Sequence, residues 1–198
     1  ATMAAEEKVC RYLDMPVQHI SGRILRAMNR KGTPALIRET IDEIRRAVPG
    51  VSLRTSLIVG FPGETDEEFE DLLAFVREAR FESLGVFPYS PEEGTEAADM
   101  PGQVPEGEKL RRQGLVMEAQ AAIADEISLA RAGSVVEVLI EGTTRRKDFP
   151  FWGRTRFQSP EIDGITFVRA TDLRPGEIVR CRVTGAEIHD LHAEKADD

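Results

Sequence analysis

The chain has 198 residues but only two cysteines, Cys10 and Cys181, and three histidines. Two thiols so far apart cannot build a metal centre alone, and their scarcity argues for a reducing compartment rather than a disulfide framework. Each reads as a small apolar filler. His189 and His192 lie far from His19 in sequence, so neither a Cys–His nucleophile pair nor a zinc site is supported. No apolar run approaches the roughly 20 residues that a membrane-spanning helix needs. The start, Ala1 to Lys8, is no signal peptide and reads as the interior of a longer chain. A basic excess is also missing. The net charge is −9; residues 1–133 carry 16 basic and 23 acidic side chains, residues 134–198 carry 10 and 12. An acidic whole argues against strong nonspecific nucleic-acid binding, which phosphate neutralisation drives. It leaves room for a local basic patch or a basic protein partner. No internal repeat of 20–50 residues is evident.

What is present suits a globular protein, with 41% hydrophobic and 31% charged residues. The most informative stretch is Leu57 to Thr65. An apolar run ends in Gly60-Phe61-Pro62-Gly63, and an acidic helix follows. The run reads as a strand of a parallel sheet. Thr65 caps the helix, and Glu68 three residues on completes a capping box. At the carboxyl edge of such sheets ligands bind. No lysine follows the glycines, so this is not a phosphate-binding loop. It should receive an uncharged or cationic part of a ligand. The acid run from Glu64 to Asp71 reads as a solvated helix start that suits the macrodipole.

The rest of residues 1–133 follows the same plan. Val9 to Val17 reads as a strand or strand end. Ser21 caps a short helix that Gly32 breaks. Thr33 and Pro34 start the next helix, whose Ile37, Ile41, Ile44 and Val48 form a buried stripe. Val51 to Val59 is a strand with its one charge, Arg54, near an exposed start. The helix from Asp66 to Ala79 buries Phe69, Leu72, Leu73 and Val76, and Ser83 to Tyr89 is another strand. Strand, helix, strand, helix, strand implies right-handed crossovers and a parallel sheet. A Gly/Pro/acid-rich connection leads to a helix over 106–132, expected to bury Leu110, Met117, Ile123, Ile127 and Ala130. After Gly133 the pattern turns to short alternating runs, 134–141, 164–170 and 177–184. They read as a small all-β, OB-like barrel.

Several residues could carry chemistry. Gln18 and Arg30 can both face the sheet's carboxyl edge, where an amide and a guanidinium suit a ligand bearing α-amino and carboxylate groups. His19 reads more readily as a structural hydrogen-bonder than as a general base. In the β module, Arg145-Arg146-Lys147 precedes Phe149, Phe151 and Trp152. Basic residues among aromatics can hold phosphates and stack bases, meet a protein, or anchor a loop.

These segments carry a family resemblance. Tyr12-Leu13-Asp14-Met15-Pro16-Val17-Gln18-His19-Ile20-Ser21, Met28 to Gly32, Arg54 through Thr65, and Phe87 to Thr95 resemble the radical S-adenosylmethionine (SAM) methylthiotransferases. They come nearest the RimO branch, which modifies an aspartate of a small-subunit ribosomal protein. Pro160-Glu161-Ile162-Asp163-Gly164 and His189-Asp190-Leu191 resemble a TRAM domain. The tRNA-modifying, MiaB-like branch usually has Ser-Gly-Ser after Gln18 and an Asp at position 56; His19-Ile20-Ser21 and Ser56 favour the RimO branch. The resemblance implies an α/β chain. Residues 1–133 would be the carboxyl-terminal half of a partial (βα)6 radical SAM barrel, and residues 134–198 the TRAM domain. It further implies that Gln18 and Arg30 hold the methionine end of SAM. Ser56 stands near the ribose, and Ile58, Gly60 and Phe61 lie beside the adenine. Arg145, Arg146, Lys147, Phe151 and Trp152 are the candidate partner contacts.

The departures matter as much. The family's Cys-x-x-x-Cys-x-x-Cys motif is absent, and two scattered thiols cannot supply the ligands of a 4Fe-4S cluster. The chain is therefore expected to be inactive alone and to serve as part of a cytoplasmic, non-membrane transferase, with clusters held elsewhere in the full-length enzyme. The expected partner is a small-subunit ribosomal protein met through the TRAM domain. The alternatives are a tRNA methylthiotransferase fragment, with tRNA as partner, and a non-catalytic binding module.

Overall fold

A computed structural model describes residues 2–196; Ala1 and the last two residues of the expected β module lie outside the described residues. By packing, the chain divides into two units, residues 13–120 and residues 1–12 with 121–198. The change of strand pattern at Gly133 thus lies inside the second unit, which also takes in the last turns of the long helix.

The elements of the first part are α1 (Thr2–Ala5), β1 (Tyr12–Asp14), α2 (Gly22–Ala27), α3 (Pro34–Ala47), β2 (Ser52–Val59), α4 (Asp66–Ala79), β3 (Ser83–Pro88) and α5 (Glu106–Leu129). The sheet order is β1-β2-β3, with β2 and β3 parallel and Ser56 opposite Gly85. Leu53, Leu57 and Val59 point to one face, where Phe69, Leu72, Phe75, Val76 and Phe81 are fully or almost fully buried. Each such apolar side chain contributes about 1.5–3 kcal/mol. On the other face sit Arg54, Ser56 and Ile58, all half-buried. Arg54 is no exposed strand start: it pairs with Asp14 at 2.6 Å and its guanidinium lies against Gly85.

The helix starts follow the sequence. Thr33 accepts from the Leu36 amide with Pro34 at the first position, and Thr65 forms the capping box with Glu68. Ser21 caps α2, but Asn29 in the left-handed region ends it, ahead of Gly32.

The long helix differs from expectation. Leu110 and Met117 are more than half exposed and Ala130 is exposed, while Lys109, Arg112, Val116 and Gln120 are buried. The buried face is polar because it covers an edge strand. Gln120 donates to the Phe81 carbonyl at 2.9 Å, Gln113 to Val86 at 3.0 Å and Lys109 to Tyr89 at 2.8 Å. Open strand edges carry unpaired carbonyls that must find donors, so a purely apolar stripe would be the wrong partner.

The second part is a closed barrel of β4 (Val135–Thr143), β5 (Phe151–Thr155), β6 (Thr166–Arg169), β7 (Ile178–Glu187) and β8 (Asp190–Lys195), ordered β4-β5-β6-β8-β7. Its core is Val138, Ile140, Phe151, Val168, Leu173, Cys181 and Ala193. Closure removes the edges that would otherwise template association. Strands β4, β6 and β7 stand where alternation places them; β5 and β8 are additional.

Candidate functional site

The carboxyl ends of β2 and β3 border a cavity of about 380 Å³, within the range of small-ligand sites. Gln18, Ala27–Arg30, Ile58, Phe61, Tyr89, Glu96, Ala97 and Met100 line it. Four of the six residues expected to hold a cofactor therefore meet in one place. Gln18 prolongs β1 irregularly: its amide donates to the Ser56 carbonyl and its carbonyl accepts from Ile58, both at 2.8 Å. Its left-handed backbone (φ 71°) turns it out of the strand path. Thr55 fixes the segment before it, donating to the Met15 carbonyl at 2.9 Å and accepting from the Val17 amide at 3.2 Å. Arg30 follows the left-handed turn at Asn29 and donates to the Pro16 carbonyl at 2.7 Å. Ser56 and Gly60 do not line the cavity. The Ser56 hydroxyl lies 3.4 Å from the Arg54 guanidinium, and Gly60 acts through its backbone.

The apolar wall is aromatic. Phe61 meets Tyr89 edge-on, with ring centroids 5.2 Å apart. The Tyr89 hydroxyl is buried and has no hydrogen-bond partner, a group that a ligand can satisfy. Sequence reasoning missed Tyr89, Glu96 and Met100 as lining residues. The signal for Tyr89 was its place at the end of a strand. Nothing marked Glu96 and Met100 beyond an unusually rich turn composition.

Behind the cavity lies a buried polar network. Glu64 is buried rather than part of a solvated acid run. Its carboxylate accepts from the amides of Gly60 (2.5 Å) and Phe61 (3.1 Å) and pairs with Arg112 at 2.9 Å. Burial pushes its pKa above the ordinary carboxylate value, with Arg112 opposing. His19 is fully buried; Nδ1 accepts from the Ser21 amide at 2.9 Å, and Nε2 lies 3.9 Å from Glu64. Burial lowers its pKa to about 4, so it is a neutral hydrogen-bonder near pH 7. Partial burial works against ionisation of Glu68, yet Arg23, the Ser21 hydroxyl and the Thr65 amide outweigh it and hold that carboxyl at about 2.

The basic and aromatic residues of the barrel separate into four roles. Phe151 is in the core and cannot meet a partner. Arg146 lies 4.0 Å over the Phe167 ring, and Phe149 stacks on His192 at 4.6 Å, which staples the loop to the barrel. Arg145 and Lys147 are exposed. Trp152 lines a separate groove of about 650 Å³ with Glu141, Arg154, Glu161, Asp163 and Phe167 among its walls. Arg154 pairs with Glu141 at 2.9 Å, and Asp163 accepts from the Tyr12 hydroxyl at 2.7 Å.

Residues 3–76 match the radical SAM superfamily and residues 132–195 match the TRAM domain. The chain is 50% identical over 97% of its length to the ribosomal protein uS12 methylthiotransferase RimO of Syntrophus aciditrophicus, covering 43% of that protein. It is 49% identical over 96% of its length to the RimO of Anaeromyxobacter sp. (strain Fw109-5), covering 40%. Over the span they share, the chain is similar to the RimO proteins. It spans well under half the length of these relatives. Coproporphyrinogen III oxidase (HemN) from Escherichia coli, a radical SAM enzyme, aligns with a TM-score of 0.45 and 23% identity, over 60% of this chain and 27% of that one.

The two implied cofactors fare differently against the side chains. The cavity fits SAM in chemistry: its lining combines the Arg30 guanidinium and the Gln18 amide with aromatic and apolar walls. An iron–sulfur cluster has no such fit. Cys181 sits in the TRAM barrel core, where burial pushes its thiol up to about 11, and Cys10 is exposed. Among the described residues no group of three or more His, Cys, Asp or Glu could hold a metal ion. No described helix is long and apolar enough to cross a membrane.

Proposed function

We propose that this chain is the cofactor-gripping and partner-binding part of a cytoplasmic radical SAM enzyme that methylthiolates an aspartate of ribosomal protein uS12. The observation that carries the reading is the convergence of Gln18, Arg30, Ile58 and Phe61 on one cavity at the strand ends. Arg30 grips the carboxylate of the methionine moiety, Gln18 its amino group, and Ile58 and Phe61 offer apolar surface to the adenine, with Gly60 shaping the turn behind them. Ser56, outside the cavity lining, makes no contact with the ribose in this reading. When bound, SAM supplies the radical that begins the chemistry; the protein orients and shields. Residues 1–133 form the barrel part and 134–198 the TRAM domain. Without cluster ligands the chain alone is inactive, and the clusters belong to other parts of the complete protein.

The partner reading rests on charge. The TRAM groove carries three carboxylates, Glu141, Glu161 and Asp163, against one guanidinium, Arg154. That excess disfavours nucleic-acid phosphates and favours a basic polypeptide. The exposed Arg145 and Lys147 remain separate candidate contacts for a partner. The test is incubation of the complete, cluster-loaded protein with uS12, tRNA, SAM, sulfide and a reductant, followed by mass spectrometry. We expect one methylthio group on an aspartate of uS12 and none on tRNA. Modification of tRNA alone, or of neither, would contradict the proposal.

A further inference from the structure

Helix α5 places two buried cations, Lys109 and Arg112, behind the cavity without lining it. Arg112 pairs with Glu64 at 2.9 Å, Asp66 at 2.7 Å and Glu108 at 2.7 Å, and also donates to the Glu64 carbonyl at 3.3 Å. Through Glu64 it reaches the Gly60 and Phe61 amides. Lys109 donates to the Tyr89 carbonyl at 2.8 Å and pairs with Glu106 at 3.3 Å. Its stem fills the space beside Gly60, where a Cβ would stand 2.4 Å from Cγ. Each strand-end segment bounding the cavity, 60–61 after β2 and Tyr89 after β3, is thus fastened to the same helix by a cation.

This arrangement is costly. Both side chains lose hydration, and Lys109 also sits at the first turn of the helix, where the macrodipole disfavours positive charge. Well-packed apolar residues often stabilise a fold as well as a buried ion pair does. What apolar residues cannot do is fix carbonyl and amide positions through directed hydrogen bonds. Small displacements of binding groups are expensive in ordered sites.

We propose that Lys109 and Arg112 are positioning residues for the ligand of the cavity, acting through the backbone of Gly60, Phe61 and Tyr89. The proposal rests on the reading of the cavity as the SAM site. The test uses the complete protein and S-adenosylhomocysteine as probe, with calorimetric Kd and amide hydrogen exchange measured side by side. Arg112→Met is expected to weaken binding about tenfold and to speed exchange at Gly60 and Phe61 beyond the surrounding strand. Arg112→Lys should recover part of the affinity, and Lys109→Met should speed exchange around Tyr89 and weaken binding similarly. Tight wild-type binding together with unchanged affinity in both methionine variants would overturn the proposal while sparing the cavity reading. Loss of protection spread evenly over the sheet would also overturn it, since that marks a merely structural role. Failure of the wild-type protein to bind the probe would overturn the cavity reading, and the ligand part of this proposal with it.

Discussion

Replacing Gly153 with alanine is expected to lower the melting midpoint of the TRAM barrel by roughly 15 °C, the equivalent of about 3 kcal/mol. Gly153 stands opposite Ile140 in the β4–β5 ladder, next to the bulge that ends at Gly142. A Cβ there would lie 2.0 Å from the Leu139 carbonyl oxygen and 2.8 Å from its carbon. Both are backbone atoms of a paired strand, so no rotamer relieves the clash. The strands must separate, which opens a barrel whose stability depends on closure. Trp152, the only tryptophan, is the neighbouring residue and reports the transition by fluorescence. An unchanged midpoint would mean that β5 does not pair as described.

The second large effect is on pH. His19 has its pKa lowered from 6.5 to about 4 by burial. The unfolded chain therefore takes up a proton that the folded one refuses. Stability from this residue is complete above about pH 6.5 and is lost as pH falls toward 4, by about 3 kcal/mol in all. The carboxyl of Glu68, held at about 2, adds a further loss below its unfolded value. Glu64 works the other way, because its raised pKa favours the folded state at lower pH. The groups around the imidazole are Glu64, Glu68, Arg23 and Arg112. Comparison with His19→Asn, whose amide can still accept from Ser21, isolates the histidine. From denaturant midpoints, the stability of wild type relative to the variant is expected to rise between about pH 4 and pH 6.5 and to stay constant above that. Parallel profiles would show that His19 titrates normally.

Much of the fold was legible because its determinants are local. Thr65 and Glu68 are three residues apart, Thr33 and Pro34 adjacent, and the strands at 51–59 and 83–89 carry the apolar runs Leu57-Ile58-Val59 and Val86-Phe87 between helical patterns. What escaped depends on distant partners. Glu64 looked solvated because Arg112, which buries it, lies 48 residues on. Leu110 and Met117 looked like core because nothing local says that α5 must serve the carbonyls of Phe81, Val86 and Tyr89. Strand β8 is mostly polar in sequence, with Leu191 and Ala193 alone turned fully inward. The candidate site divides in the same way. Gln18, Arg30, Ile58 and Phe61 could be gathered from a resemblance. Phe151 sat in a run of exposed-looking aromatics, and only the β5 register assigns it to the core.

The most direct test of the cofactor site is equilibrium binding of S-adenosylhomocysteine to the complete protein and its Arg30→Ala and Gln18→Ala variants. Loss of a charge-assisted carboxylate contact should weaken binding about 100-fold in Arg30→Ala, with a smaller loss, roughly tenfold, in Gln18→Ala. Affinity indistinguishable from wild type in both variants would place the cofactor elsewhere and contradict the account.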